Sequence, residues 1–365
     1  MKSPEMKKRR KIHDSRISHG NDPGVCYGLF FSMLLIISVM LSACAKQETP
    51  VQKKPQMLDD TVFSVNGEQV SIGEWNLYAQ PVIEKTDVMY GKEIWDYKMD
   101  NEGRLFGEAL QENIRDRIVN VKVVAGHAKE LEVTLSEDER TEISIAVEEY
   151  LEKLTEEEMK EYGIDRETVE KVYTDNYLAT KVYEHLTLNV NTETDETDVR
   201  HMILRYIMLP KTYEDREGNT CRYSKEEMDI KRETLEIMRN QTSENPNLSI
   251  KDLENENYVV TEIITDYAGL REKLPEKLAG IVFWLREGEV GDVMETDAAL
   301  FLFECVKIED EASTRAARVR IIEEREKKVF EDSFVKWKKD IIVENNPSIW
   351  KSITDSINAN GAVTE

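Results

Sequence analysis

The stretch Val282–Val293 reads VFWLREGEVGDV, and it decides how the chain around it folds. An apolar run ends at Leu285, and Gly288 follows after two charged residues. Glycine readily takes the left-handed backbone conformation found where helices end and chains turn. The valines that follow are β-branched, which favours a strand. The stretch therefore predicts a helix end, a turn at the glycine and a strand after it.

Strands and helices are mixed on both sides of this stretch, between residues 199 and 309. Ser224 and Glu227 form a capping box that predicts the start of a helix. The predicted elements are, in order, a strand at Val199–Leu209, a polar loop at Tyr213–Tyr223, a helix from Ser224, a strand at Tyr258–Ile264, a helix at Leu274–Leu285 and strands at Glu289–Glu295 and Leu300–Ile308. This order predicts an α+β fold.

The segments 61–198 and 310–347 flank this block and are mostly helical in pattern. Asn66–Gly67 lies between two apolar runs, which is the strongest short-range signal of a hairpin. Apolar residues then recur at steps of three and four from Leu105 to Leu131, as in an amphipathic helix. Residues 348–365 are predicted to be a polar tail.

The N-terminus carries the pattern of an export signal. A basic run precedes the 13-residue apolar segment Leu29–Leu41, which is too short for a membrane span of about 20 residues. Residues 1–43 are therefore predicted to be a signal peptide. The sequence Leu41-Ser-Ala-Cys44 resembles the box at which bacterial lipoproteins are lipidated, so we expect a lipid on Cys44. Residues 44–60 are polar and predict a flexible tether.

The charge excludes some classes of partner. The 365 residues carry a formal net charge of −24, which argues against binding nucleic acid through neutralised phosphates. Residues 1–43 hold seven Lys or Arg and three Asp or Glu, so residues 44–365 carry −28. Cys221 and Cys305 remain after the anchor, and their spacing allows a disulfide in an oxidising compartment, although two free thiols are favoured. No pattern predicts a metal site or a cofactor.

Three stretches together resemble the PrsA/SurA family of extracytoplasmic foldases with a parvulin-type peptidyl-prolyl isomerase domain. Val62–Trp75 (VFSVNGEQVSIGEW) is similar to the start of the family's mature region, and Val282–Val293 and Leu300–Ile308 are similar to the end of the parvulin domain. The resemblance implies a helical chaperone lobe, split in sequence by a parvulin-like domain with a small antiparallel sheet at 199–309. The helix in 310–347 would then pack on the lobe.

The resemblance also implies partners and a location. We expect unfolded or Pro-containing secreted polypeptides as clients, and a position at the outer face of the bacterial cell membrane through the lipid on Cys44. It leaves a homodimer open.

The same resemblance identifies candidate site residues. Parvulins hold a proline ring in an apolar pocket near two histidines. The alignment puts Tyr206 and Phe301 at the histidine positions, so these are the candidate catalytic residues, with Met208 and Phe283 as substrate-binding residues. A shifted alignment puts His201 at the first position instead. Because the X–Pro barrier is ~18–20 kcal/mol and both histidines are replaced in the first alignment, we expect weak isomerisation or none.

Two other functions stay open. The chain could be a non-catalytic chaperone, with the parvulin fold as a scaffold, or a lipid-tethered binding protein of the envelope. Hydrolase, nucleotide-binding and redox functions have no support, since the HExxH, GxSxG, P-loop and CxxC patterns do not occur in the sequence.

Overall fold

The structure is a computed structural model that describes residues 60–359. The predicted signal peptide, Cys44 and all but the last residue of the tether lie outside the described residues. The described chain forms two compact units. The helical unit consists of residues 60–188 and 330–359, and the sheet unit of residues 189–329.

The N-terminal part of the helical unit is a hairpin followed by helices. Its elements are β1 (Thr61–Val65), β2 (Glu68–Ser71), α1 (Ile72–Tyr90), a 3₁₀ turn (Lys92–Asp96), α2 (Phe106–Gly126), α3 (Glu137–Leu151), α4 (Glu156–Tyr162) and α5 (Arg166–Thr187). Asn66 and Gly67 have φ values of 52° and 85°, as a turn between two short strands requires. Ser71 accepts a hydrogen bond from the Glu74 N–H at 3.1 Å and so caps α1.

The sheet unit surrounds a four-stranded antiparallel sheet. Its elements are α6 (Glu196–Val199), β3 (Met202–Pro210), β4 (Thr212–Glu214), β5 (Thr220–Arg222), α7 (Lys225–Glu244), a 3₁₀ turn (Ile250–Leu253), β6 (Val260–Thr265), α8 (Tyr267–Lys273), α9 (Glu276–Phe283), β7 (Met294–Glu295) and β8 (Ala299–Lys307). The strand order is β6-β3-β8-β7. Core residues of α8 and α9 pack on one face of the sheet, and core residues of α7 pack on the other.

Two local predictions in this unit differ from the structure. The predicted loop Tyr213–Tyr223 contains the small hairpin β4–β5. The predicted strand at Glu289–Glu295 is reduced to β7, because the chain before it bonds irregularly to β8. There, the Gly288 and Gly291 N–H groups donate to the carbonyls of Cys305 and Phe303 at 2.7 and 2.9 Å.

The C-terminal part continues with α10 (Glu311–Lys338), β9 (Val343–Asn345) and α11 (Pro347–Ala359). Strand β9 pairs antiparallel with β1 and completes the sheet β2-β1-β9. A helix therefore stands where the sequence analysis places the start of a polar tail. Ile353 and Ile357 are one turn apart and are buried in the helical core, which explains why α11 folds.

The α+β class is confirmed by this mixture of helices and small antiparallel sheets. The sheet unit begins and ends about ten to twenty residues outside the predicted 199–309 block. Both added segments are in contact within the sheet unit: Arg325 of α10 donates hydrogen bonds to the carbonyls of Asn191 and Glu193 at 2.9 and 2.6 Å. These bonds join the segment before α6 to the first part of α10.

Candidate functional site

Three of the four candidate residues lie on one face of the sheet. Tyr206 and Met208 are on β3 and Phe301 is on β8. Side chains of a strand alternate between its two faces, so positions 206 and 208 share a face. The register pairs Met208 directly with Phe301 and Tyr206 with Phe303. The sequence-predicted residues are thus brought together by strand pairing.

The aromatic rings on this face form a packed group. The ring centroid of Tyr206 is 6.4 Å from that of Phe301 and 5.5 Å from that of Phe303. The two phenylalanine rings are stacked, with centroids 5.7 Å apart and an angle of 14° between planes. Contacts at these distances are favourable beyond simple burial. The group therefore has a fixed shape.

Only one end of this group reaches the surface. Met208 is 49% exposed and Tyr206 is half-buried, whereas Phe301 is 4% exposed. Within the described chain, the Tyr206 hydroxyl has no hydrogen-bond partner, so it can donate to a ligand. A ligand that approaches this face would meet Met208 and Tyr206 first, and Phe301 would form the floor beneath them.

Two further residues belong to this face and were missed from the sequence. Phe303 supports Tyr206, and Met294 of β7 pairs with Phe301 on the side away from β3. Met208, Phe301 and Met294 therefore form one row across three strands, which we call the Met–Phe–Met row. Methionine is flexible and polarisable, and it adapts to ligands of different shape. The alternation in β8 could have indicated Phe303, but only the register shows Met294.

Phe283 lies elsewhere in the same core. It is fully buried at the end of α9, and its ring centroid is 5.3 Å from that of Tyr267. The Arg200 guanidinium stacks on the Phe283 ring with its central carbon 4.0 Å from the centroid. The structure gives Phe283 this interior position, and its role in binding a substrate stays a prediction.

His201 of the shifted alignment precedes β3 and lies apart from the aromatic group. Its backbone N–H donates to the Thr314 hydroxyl at 3.0 Å, and its ring nitrogen Nδ1 is 3.0 Å from the Val199 carbonyl. Five residues separate it from Tyr206, which corresponds to about 16 Å along a strand. The two alternative alignments therefore place the first histidine position at different points of the sheet unit, at Tyr206 or at His201.

The two cysteines of the described chain are both free. Cys221 is half-buried in the small hairpin, and Cys305 is buried in β8. Burial, together with the carboxylates of Glu287 and Glu289, raises the pKa of the Cys305 thiol to about 11. Among residues 60–359, no group of three or more His, Cys, Asp or Glu side chains could hold a metal ion.

The helical unit contains a second notable group, which we call the Lys122 cluster: Lys122, Lys171, Glu68, Glu74 and Asp175. The Lys122 side chain is 3% exposed, and its ammonium lies 2.7 Å from Glu68, 2.8 Å from Glu74 and 3.5 Å from Asp175. Lys171 lies 2.8 Å from Glu68 and 3.2 Å from Glu74. The cluster joins β2, α1, α2 and α5.

The pKa values in the cluster show how burial and charge compete. Burial opposes the charge of Lys122, but the neighbouring Glu74 and the hydrogen bond to Glu68 outweigh it and raise the pKa of Lys122. Burial also opposes the charge of Glu68, yet its bonds from Lys122 and Lys171 keep its pKa low. For Asp175 burial dominates and raises the pKa.

A cleft of about 230 Å³ lies beside the cluster and is lined by polar residues, including Glu74 and Lys171. The residues that line it are all polar or charged, unlike those of the Met–Phe–Met row. Because an apolar surface with one free hydroxyl is suited to proline rings and other apolar groups of a polypeptide, we take the sheet face as the candidate site.

No described helix has the length and apolar character needed to cross a membrane.

The chain is similar to known foldases and chaperones. No family model matches it. The foldase protein PrsA of Caldanaerobacter subterraneus subsp. tengcongensis is 28% identical over 134 residues, which are 36% of this chain and 41% of that protein. The matched segment is thus less than half of the relative's length. This relative confirms the resemblance to PrsA/SurA-like foldases that the sequence motifs predict.

Two solved structures are similar to the chain over most of its length, at low sequence identity. A SurA-like chaperone of Campylobacter jejuni is 14% identical, with coverage of 79% of this chain and 99% of the other and a TM-score of 0.26. The peptidylprolyl isomerase PrsA of Bacillus cereus is 15% identical, with coverage of 82% and 98% and a TM-score of 0.26.

Proposed function

We propose that this PrsA/SurA-like chain is an extracytoplasmic foldase that binds unfolded, Pro-containing polypeptides on the sheet face of Tyr206, Met208 and Phe301. The observation that supports this most is the Met–Phe–Met row, which reaches the surface at Met208 and carries the free Tyr206 hydroxyl beside it. The similarity to a PrsA foldase supports the same function.

The chemistry of the face favours weak isomerisation. Rotation about an X–Pro bond removes the conjugation of the amide and with it part of the amide dipole. An apolar surface therefore destabilises the planar forms relative to the twisted one, which is the difference that catalysis needs. Among Tyr206, Met208, Phe301, Phe303 and Met294, the Tyr206 hydroxyl is the only polar side-chain group, and none of these five side chains is ionised at neutral pH. We therefore propose binding as the main activity and slow isomerisation as the minor one.

We further propose that the protein acts at the outer face of the cell membrane, held by a lipid on Cys44. The Leu41–Cys44 pattern and the similarity to PrsA support this location. The net charge of −28 that residues 44–365 carry argues against nucleic acids as partners.

Two assays on the purified protein test the proposal together. A protease-coupled assay with an X–Pro peptide measures isomerisation, and suppression of aggregation of a refolding client measures binding. We expect clear suppression and slow isomerisation. Met208→Ala should reduce both activities several-fold, because it removes the exposed part of the row, and Tyr206→Phe should reduce isomerisation alone by up to about tenfold.

A matched control is available on the other side of the sheet. Ile237 of α7 is 50% exposed, as Met208 is, but α7 packs on the opposite face. Ile237→Ala should leave both activities unchanged. Isomerisation as fast as that of an ordinary parvulin would contradict the proposal that catalysis is the minor activity. Equal effects of Met208→Ala and Ile237→Ala would contradict the proposal that clients bind at Met208. A protein that only binds would lose suppression with Met208→Ala and show no isomerisation.

A further inference from the structure

The strand β6 forms one edge of the four-stranded sheet, and its outer side is partly used by the chain that precedes it. Asn255 and Tyr258 form a small bridge, with their backbone N–H groups each donating to the other's carbonyl. Two residues further on, the Val260 N–H donates to the Glu254 carboxylate at 3.0 Å. The first two outward positions of this edge are thus occupied.

The next two outward positions are open. Backbone N–H and C=O groups of a strand point alternately to its two sides, so those of Glu262 and Ile264 point the same way as those of Val260. Thr261 and Ile263 lie between them and bond toward β3. Within residues 60–359, no group bonds to the outward N–H of Glu262 or Ile264. Ile264 is also 55% exposed, so this part of the edge is open to solvent.

The Glu254 carboxylate shows that an oxygen acceptor can bind to the outward N–H groups of this edge. Its oxygen takes the place that the carbonyl of a neighbouring strand would have opposite Val260. The same carboxylate also pairs with Lys251, which holds it in position. An added strand would continue from this carboxylate along Glu262 and Ile264, because its backbone offers the same kind of acceptor at regular spacing.

We infer that the outer edge of β6 takes up an extended, basic segment of an unfolded polypeptide as an additional strand. This inference rests on the proposed function, because it assigns a binding mode to the same class of client. Backbone pairing does not depend on the client's sequence, which suits a protein with many clients.

The charge of this edge favours a basic client strand over a second copy of the chain. The segment 251–266 (KDLENENYVVTEIITD) has five acidic residues and one lysine. A second copy would bring the same acidic segment and the charge of −28 that residues 44–365 carry, so the two edges would repel each other. A client strand with lysine or arginine between apolar residues complements the edge.

Such a strand would also extend the candidate site. Thr261 pairs with Tyr206, and its side chain shares the face of the aromatic group. Client residues beside Thr261 would lie next to this group, one strand farther from Phe301. The edge would hold the backbone of the client while Met208 and Tyr206 contact its side chains.

The test is hydrogen exchange of the full chain, read at single amides, with and without a short peptide of alternating valine and lysine. We expect the peptide to slow exchange at Glu262 and Ile264 but not at Thr261 and Ile263, which are already bonded to β3. A peptide of alternating valine and glutamate should protect much less. Binding without protection at Glu262 and Ile264 would overturn the inference and leave the proposed function intact.

Two variants change the edge in opposite directions. Ile264→Pro removes an outward N–H that the sheet does not use, a position at which an edge strand tolerates proline. It should weaken peptide binding about tenfold, whereas Ile264→Ala, which keeps the N–H, should not. Glu254→Ala frees the Val260 N–H but also removes one negative charge, so it should tighten the binding of an uncharged peptide of alternating valine and threonine, which responds only to the freed N–H. Tightening with Glu254→Ala keeps the inference testable if Ile264→Pro fails to fold.

The remaining outcomes also have a fixed meaning. Equal binding by Ile264→Pro and Ile264→Ala, with both folded, would contradict the edge as the site. Protection at Glu262 and Ile264 that rises with protein concentration and needs no peptide would identify a second copy as the occupant and overturn the inference. Absence of peptide binding together with absence of aggregation suppression would contradict the proposed function itself.

Discussion

The helical unit and the sheet unit differ in the side chains they bring together: charged groups in the first, and apolar and aromatic groups on one sheet face in the second. The helical unit contains the Lys122 cluster, in which two lysines and three carboxylates from four elements pair with one another around the buried Lys122 and Glu74. The face of the sheet unit described above is apolar and aromatic, from Met294 to Met208. Ion pairs need exact partners, whereas apolar side chains tolerate new neighbours. The difference is consistent with one fixed packing in the helical unit and with the ligand binding that we propose for the sheet face.

The largest effect is expected from Lys122→Met in the helical unit. The change removes the buried ammonium beside Glu74 and Asp175 and leaves only the more exposed Lys171 as the cationic group of the cluster. Removal of one partner of a buried ion pair costs about 3–5 kcal/mol. Urea unfolding followed by tryptophan fluorescence in a Trp284→Phe background measures it, because the other four tryptophans all lie in the helical unit.

The control for this prediction is Arg166→Ala. Arg166 is half-exposed and pairs with Glu148 and Glu170 at the surface. Its removal should lower the free energy of unfolding far less than Lys122→Met does, because solvent screens surface ion pairs. A similar loss for both variants would show that the Lys122 cluster is no more important than surface pairs, and the contrast between the two units would disappear.

A smaller effect is expected from Met294→Ala in the sheet unit. Met294, on β7, is the buried methionine of the Met–Phe–Met row, and it lies close to Gly291. Truncation of a buried methionine costs about 2–5 kcal/mol, and the open end of the row should let it relax toward the lower value. Hydrogen exchange of the β3 and β8 amides measures this loss.

Met208→Ala is the matched variant at the exposed methionine of the same row. Because Met208 is half-exposed, the change should cost less than about 1 kcal/mol. If Met208→Ala destabilised the unit as much as Met294→Ala, Met208 would be a core residue and not a contact for ligands.

A still smaller effect is expected from pH, through Asp175. Its raised pKa means that the folded state binds a proton more readily than the unfolded state, whose ordinary pKa is 3.8. Stability should therefore rise as pH falls through the window between the raised pKa and 3.8. Glu68 acts in the opposite direction: its lowered pKa gives stability above its ordinary value of 4.5, and this is lost as pH falls through the lowered pKa.

Asp175→Asn separates the two contributions. The variant should lose the rise in stability and keep the loss at lower pH, as measured by urea unfolding across a series of pH values. A rise that persists in Asp175→Asn would assign it to a group outside the Lys122 cluster.

The smallest effect is expected for the reactivity of Cys305. With a pKa of about 11, its thiol is almost wholly protonated at pH 8, and it is buried as well. Cys221 should react with a thiol reagent in the native protein and Cys305 only after unfolding. Replacing Cys26, Cys44 and Cys221 by serine leaves Cys305 as the one cysteine of the sequence, and fast labelling of that variant would show that the sheet core opens readily.

Local signals in the sequence predict much of the fold. The Asn66–Gly67 turn, the caps at Ser71 and Ser224 and the apolar runs around Gly288 act over a few residues, so they can be read directly from neighbouring positions. Alternation in β3 also places Tyr206 and Met208 on one face. The helix in Pro347–Ala359 was missed although Ile349, Ile353 and Ile357 recur every four residues, because the segment is short and mostly polar residues separate these positions.

The sequence by itself determined the kinds of elements, the caps that bound them and which residues of each strand share a face. Only the tertiary structure decided which elements meet: β9 with β1, Met294 with Phe301, and Lys122 with Glu68, 54 residues away. The physical reason is range. Propensities, caps and turns act within a few residues, whereas pairing and packing depend on how the whole chain buries its apolar surface and finds partners for its buried charges.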